Sequence, residues 1–227
     1  MGISEERIII DGTDGAFLDR DENGLFLGCG DQKIRGDFSK MVRRIKQANL
    51  ERELLIKASR IKGHNDGLTA VDATAGLGED SLLLAAAGFC VTLYEKDPVI
   101  AALLEDAMNR AKNIPELSQT VSRMMLIKED SISAMRSLDI HPDVILLDPM
   151  FPTRQKSALV GKKFQLIHLL EKPCEDETEM LNAAVMAHPR KIIIKRPLKG
   201  TWLGGRKPDY SINGKAIRYD CIVMPPV

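Results

Sequence analysis

The chain has only four cysteines in 227 residues, Cys29, Cys90, Cys174 and Cys221, widely scattered and with no C-x-x-C among them. That pattern argues against a disulfide frame or a zinc site and favours reduced, structural thiols, so a cytoplasmic protein is expected. The four histidines show no metal-ligand spacing, and no metal is expected. No apolar run approaches the roughly 20 residues that cross a bilayer, so no membrane partner is expected either. The first residues, M-G-I-S-E-E-R, lack a basic stretch followed by an apolar one, and no secretory signal is expected. Net charge is absent too, at +0, but the balance conceals a segregation. Residues 33–62 carry 10 Lys and Arg against 3 Asp and Glu, and residues 151–227 carry 14 against 7. The rest of the chain is acidic. Two basic segments flanking an acidic core suggest a polyanionic partner, with solvated helix faces as the alternative.

The most informative stretch is T-A-V-D-A-T-A-G-L-G-E-D over residues 69–80. Ala70 and Val71 lead to a carboxylate at Asp72, then to small residues, Gly76 and Gly78. S-L-L-L-A-A-A-G follows and reads as a helix. A strand, a glycine turn and a helix open a nucleotide-binding βαβ unit, where glycine lets backbone approach a ligand closely.

The remaining chain divides around this unit. Residues 8–28 read as β structure, with Asn23-Gly24 between apolar runs predicting a type I′ hairpin. Residues 37–62 read as basic helix, with Met41, Ile45, Ala48, Leu55 and Ile56 on an apolar stripe. From residue 69 onward, strands at 90–94, 124–127, 144–147, 191–195 and 217–224 alternate with helices opening at Pro98, after Ser131 and near Glu175. Continuous apolar strands separated by helices imply a parallel sheet covered on both faces. The expected organisation is an N-terminal β subdomain (1–36), a basic helical linker (37–66) and a Rossmann-like domain (67–227).

In such a sheet the ligand lies at the carboxyl ends of the strands. That gathers residues 72–80 (Asp72, Thr74, Gly76, Gly78, Glu79, Asp80), Glu95-Lys96, Asp130-Ser131 and Asp148 around one crevice. Glu95 follows Gly76 by 19 positions, the spacing at which an acidic residue meets ribose hydroxyls. A dinucleotide fingerprint requires a third glycine where Ser81 stands, and the acidic rim would repel a pyrophosphate. It would attract a cationic sulfonium carrying a ribose, which favours S-adenosylmethionine over a nicotinamide dinucleotide.

Asp148-Pro149-Met150-Phe151 ends the fourth core strand, where methyltransferases of exocyclic amines carry a (Asp/Asn/Ser)-Pro-Pro-(Tyr/Phe/Trp) tetrapeptide. The aromatic ring stacks on the base, and the side-chain oxygen with the Pro149 carbonyl accepts the amine's protons. Asp148, Pro149 and Phe151 are therefore the candidate catalytic residues. Basic residues surround them: Arg154 and Lys156, then Lys162 and Lys163, with Lys195 and Arg196 ending the fifth strand. Arg154, Lys156, Lys195 and Arg196 are the candidate contacts to the phosphates of a polyanionic partner, RNA phosphates if the resemblance described next holds. Lys195 and Arg196 could instead pair with Asp148 or Glu95, and Trp202 could be either a stacking platform on a mobile loop or the buried anchor of that loop.

V-D-A-T-A-G-L-G-E-D, L-Y-E-K-D-P-V-I-A-A-L-L, L-L-D-P-M-F-P-T-R-Q-K-S-A-L-V and I-I-I-K-R-P together closely resemble the RsmJ (YhiQ) family. Its members are bacterial S-adenosylmethionine-dependent 16S ribosomal RNA guanine-N2 methyltransferases. The resemblance implies a class I fold, Rossmann-like with a mostly parallel seven-stranded sheet, and a small N-terminal β/helical extension. It implies cofactor contacts at Glu79-Asp80, Glu95-Lys96, Asp130-Ser131 and Asp148, and 16S rRNA or the small ribosomal subunit as partner. Glu79-Asp80 stands where the family has arginine-aspartate, and Glu95-Lys96 where it has glutamate-arginine. The competing readings are an amine methyltransferase on DNA adenine or protein glutamine, and a noncatalytic RNA-binding relative.

Overall fold

The structure, a computed structural model, describes residues 7–11, 13, 15–63, 67–149 and 176–225. Strands β1 (Ile8–Ile9), β2 (Phe17–Asp21), β3 (Gly24–Cys29) and β4 (Gln32–Ile34) form an antiparallel meander. The hairpin between β2 and β3 turns one residue earlier than its Asn-Gly signal predicts, since Asp21 pairs with Gly24 and leaves Glu22-Asn23 as the loop. Asn23 does not adopt a positive φ, so the turn is not type I′. The Asp21 carboxylate accepts the Asn23 N–H at 2.9 Å and supplies the turn geometry itself.

Residues 37–62 form no single helix. A 3-10 turn at Phe38–Met41 is followed by α1 (Gln47–Leu50) and α2 (Leu54–Ser59). Lys46 and Glu53 precede these helices with extended ψ values of 134° and 132°, which breaks the predicted stripe. The breaks allow Phe38, Met41, Leu50, Leu55 and Ile56 all to reach one core, which a straight helix could not achieve with this spacing. The Arg44–Glu53 pair at 2.9 Å closes the bend.

The larger sheet contains β5 (Thr69–Asp72), β6 (Cys90–Tyr94), β7 (Met124–Ile127), β8 (Val144–Leu147), β9 (Lys191–Pro197), β10 (Tyr210–Asn213) and β11 (Ile217–Val223). Their spatial order is β10-β11-β9-β8-β5-β6-β7, parallel except that β11 runs against both its neighbours. Helices α3 (Glu79–Ala86), α4 (Pro98–Ala111), α5 (Pro115–Val121), α6 (Ser131–Met135) and α7 (Glu177–Met186), with a 3-10 turn at Leu203–Gly205, complete the described elements. Strand residues divide between two cores by the period-two rule. Ala70, Val144, Leu146 and Ile193 pack with α2, α3 and α4 residues, while Val71, Ile145, Ile192 and Ile194 pack with Met135 and α7 residues. The strand order reverses between β5 and β8, and that switch point opens the crevice at their carboxyl ends. Among the described residues, no helix is long and apolar enough to cross a membrane.

The N-terminal sheet rests on α4. Asp97 caps that helix by accepting the Val99 and Ile100 N–H groups, and Pro98 occupies its first position. Ile100 and Leu103 then meet Ala16, Leu27 and Ile34 of the meander. Beside this contact, buried Asp106 accepts from Arg20 and Arg110, each at 2.7 Å, and from the Leu25 N–H at 3.1 Å. Burial would raise its pKa, but these donors outweigh it and hold the carboxyl below the ordinary range. Asp106→Ala would leave those donors without their shared acceptor. It should cost about 2–4 kcal/mol in urea unfolding and expose the β2–β3 hairpin to proteolysis.

Candidate active site

Asp72 is the last residue of β5 and only 2% exposed. It accepts the Ser81 hydroxyl at 2.5 Å and the Thr74 N–H at 3.1 Å. Ser81 therefore does more than fill the place of a third glycine, since its hydroxyl ties α3 back to the strand end. Burial nevertheless dominates and pushes the Asp72 carboxyl up to about 7. A carboxyl whose folded pKa lies above its ordinary 3.8 holds an extra proton in the folded state between these values. Its contribution to stability is thus present at low pH and lost as pH rises through about 7. Asp72→Asn should remove this fall from the pH-stability profile of the cofactor-free protein. A profile identical to that of the wild type would mean the carboxyl does not titrate there.

The glycine turn follows. Gly76 and Gly78 take φ values of +53° and +76°. The Gly76 N–H donates to Glu95 Oε2 at 3.0 Å, and the Asp97 N–H donates to Glu95 Oε1 at 2.9 Å. Glu95, directly after β6, is thereby locked against the turn. Burial raises its pKa, opposed by the backbone donors. Glu95→Ala should weaken binding of S-adenosylhomocysteine by about 10-fold or more in calorimetry, because both a ligand acceptor and the turn's anchor are lost.

The third part joins β8 and β9. The Asp148 N–H donates to Thr74 Oγ1 at 2.7 Å, which binds the end of β8 to the glycine turn. Lys195 of β9 reaches Asp148 at 2.8 Å and Asp80 in the first turn of α3 at 2.7 Å. Burial works to lower the Lys195 pKa, but the two carboxylates outweigh it and raise it. Burial raises the Asp148 pKa, and Lys195 works against that rise. Tyr219 of β11 pairs in register with Lys195 and is buried beside this group. Its phenol is pushed up by burial and by Asp80. The link between Asp80, Lys195 and Asp148 spans three elements and is the part of the site least visible in sequence spacing.

The other predicted positions fall into place unevenly. Glu79 is exposed beside Asp80. Lys96 is 72% exposed at its side chain and approaches Asp130 at 3.7 Å. Asp130 caps α6 through the Ser133 N–H at 3.0 Å, and Ser131 is buried behind it. Pro149 is buried directly after Asp148. Phe151, Arg154, Lys156, Lys162 and Lys163 lie outside the described residues. Lys195 points into the crevice and is committed to two carboxylates, Asp148, which the pairing alternative names, and Asp80, which it does not. Arg196 corrects the expectation of a rim cation. It is 2% exposed and bonded to Glu177 at 3.0 Å and to the Thr201 carbonyl at 2.8 Å. The alternation of β9 turns it to the opposite face from Lys195.

Among the described residues, no group of three or more His, Cys, Asp or Glu is arranged to hold a metal ion. The crevice is lined instead by the carboxylates of Asp80, Glu95, Asp130 and Asp148, with Asp72 buried behind the turn that Gly76 and Gly78 form. Acceptors of this kind suit a ribose diol and a positively charged ligand, so the residues present fit S-adenosylmethionine.

Strand order and crevice together define a class I S-adenosylmethionine-dependent methyltransferase. A family described as "Putative SAM-dependent methyltransferase" matches residues 8–224. Ribosomal RNA small subunit methyltransferase J from Thioalkalivibrio sulfidiphilus is 44% identical over 177 residues, covering 77% of this chain and 69% of that protein. The protein of the same description from Aeromonas salmonicida is 45% identical over 157 residues, covering 69% and 63%. That from Acinetobacter baylyi is 38% identical over 212 residues, covering 88% and 77%. The crystal structure of a SAM-dependent methyltransferase from Neisseria gonorrhoeae superposes with a TM-score of 0.75 at 30% identity, over 93% of this chain and 84% of that one. The chain belongs to the SAM-dependent methyltransferase family and, within it, groups with the small-subunit ribosomal RNA methyltransferases J.

Proposed function

We propose that this protein transfers a methyl group from S-adenosylmethionine to the exocyclic N2 amine of a guanine in 16S ribosomal RNA. The observation that carries the reading is the placement of Asp148. Its backbone is tied to the glycine turn through Thr74 and its carboxylate to Lys195, so it stands at the junction of cofactor crevice and substrate side.

When bound, the cofactor supplies an electrophilic methyl on a sulfonium. Glu95 would accept from its ribose hydroxyls, and Gly76 would let backbone approach it, while Gly78, whose Cβ would face Leu104 and Phe38, fixes where α3 begins. Asp80 and Asp130 would complement its positive charge and Asp72 would hold the turn beneath it through Thr74 and Ser81, with Glu79, Lys96 and Ser131 at the margin. Asp148 and the Pro149 carbonyl would accept the two amine protons and turn the nitrogen lone pair toward the methyl. The ring of Phe151 would stack on the base plane. Asp148 would then take the proton released as the nitrogen gains its methyl. Lys195 would oppose the rise that burial imposes on Asp148 and so favour its acceptor form. Arg154 and Lys156 would meet RNA phosphates.

Mass spectrometry of 16S rRNA from a strain lacking this protein tests the reading. One N2-methylguanosine should disappear and return on complementation. Unchanged rRNA methylation would contradict it, and loss of a methyl from DNA adenine or a protein glutamine would establish a competing substrate.

A further inference from the structure

At the same end of the sheet, the loop leaving β9 is fixed by two buried arginines. Arg196 donates to the Thr201 carbonyl at 2.8 Å and to Thr201 Oγ1 at 3.1 Å, and pairs with Glu177 at the start of α7. Arg218, opposite Arg196 in the antiparallel ladder, donates to the carbonyls of Pro197 and Leu198 at 2.8 Å and of Gly200 at 2.9 Å. Asp220 neutralises Arg218 at 2.8 Å. Leu203 is buried in the core cluster that contains Met180 and Leu181, and Gly204 packs against Thr178.

These groups anchor the loop, and Trp202 is not one of them. It lies between Thr201 and Leu203 with 43% of its surface exposed. Trp202 is thus not buried as a loop anchor would be, and the loop it stands on is fixed by other groups. A single exposed apolar residue ordinarily requires no explanation. This one is a large aromatic on a backbone whose order is established before any ligand arrives, so little entropy is lost on contact. Lys199, Arg206 and Lys207 on the same loop are exposed and form no ion pair with a described residue. The loop also adjoins the site, because Arg196 directly follows Lys195, whose ammonium touches Asp148.

We propose that Trp202 is a stacking platform for an unpaired base of the RNA next to the target guanine, with Lys199, Arg206 and Lys207 meeting its phosphates. Base–aromatic stacking of this kind tolerates any base, and the cations add a salt-dependent contribution. The proposal rests on the reading of the protein as a ribosomal RNA methyltransferase.

Trp202 is the one tryptophan of the chain, so its emission reports on this loop alone. Titration with a short single-stranded oligoribonucleotide of 16S sequence should quench that emission with the midpoint seen in anisotropy of labelled RNA. Trp202→Ala should weaken the anisotropy-measured affinity roughly 5- to 100-fold, the loss of one stack, while Trp202→Phe retains most of it. Both variants should keep wild-type melting temperature and S-adenosylhomocysteine binding. RNA binding with unchanged emission, or a Trp202→Ala variant that binds as tightly as wild type, would overturn the proposal. Emission that changes with protein concentration alone would assign the loop to self-association and overturn it too. A wild-type protein that binds S-adenosylhomocysteine but no RNA would sink the stacking role and leave the methyltransferase reading standing. RNA-dependent quenching without cofactor binding would do the reverse.

Discussion

Asp148→Ala should lower the rate of methyl transfer about 10²–10⁴-fold, the range expected when a group that positions and deprotonates a reacting amine is removed. Folding stability should change little, for two reasons. Lys195 keeps Asp80 at 2.7 Å and is not left as an unpaired buried cation. Asp148 itself is held in the folded protein with its carboxyl raised by burial, so its loss also removes an unfavourable charge. S-adenosylhomocysteine binding should persist in calorimetry, because Glu95 and the glycine turn are untouched. Asp148→Asn should retain more activity than Asp148→Ala, since an amide oxygen still accepts from the amine. Full activity in Asp148→Ala would remove the residue from the chemistry.

Gly78→Val should produce the largest loss of stability. The residue has φ +76° at the cap of α3, where an L side chain is strained, and a Cβ would stand 2.6 Å from Leu104 Cδ1 and 3.1 Å from the Phe38 ring. Left-handed strain of roughly 1–2 kcal/mol and overpacking of roughly 1–3 kcal/mol act together. A loss of about 2–5 kcal/mol should lower Tm by roughly 5–20 °C in a chain of this length. Cofactor binding should fall with it, since Gly78 sets where α3 begins and hence where Asp80 and Ser81 stand. A Tm within 2 °C or so of wild type would show that the turn relaxes freely.

These two positions are legible in the sequence alone, and the reason is local. Gly76, Gly78 and Glu95 announce themselves through the strand–turn–helix pattern, and Asp148 through its proline at a strand end. The apolar runs of β5 to β9 likewise carried their own assignment. What could not be read depends on partners distant in the chain. Lys195 was an open choice between phosphate and carboxylate until α3 and β8 placed Asp80 and Asp148 on either side of it. Arg196 was misplaced because a terminal strand residue shows its charge but not which face it turns to. β10 was not separated from the tail because its residues are mostly exposed and lack a strong apolar run. The segment at 38–59 satisfied a helical period on paper, yet its larger side chains are better buried by bending twice. Ser81 was noted only for not being glycine, and its bond to Asp72 became visible with the fold.

The most direct measurement incubates purified protein with methyl-labelled S-adenosylmethionine and unmodified 16S rRNA, then digests the RNA to nucleosides. Label should appear in N2-methylguanosine, at a rate about 10²–10⁴-fold lower with Asp148→Ala. Label in another nucleoside, or none in RNA despite tight cofactor binding, would contradict the assignment.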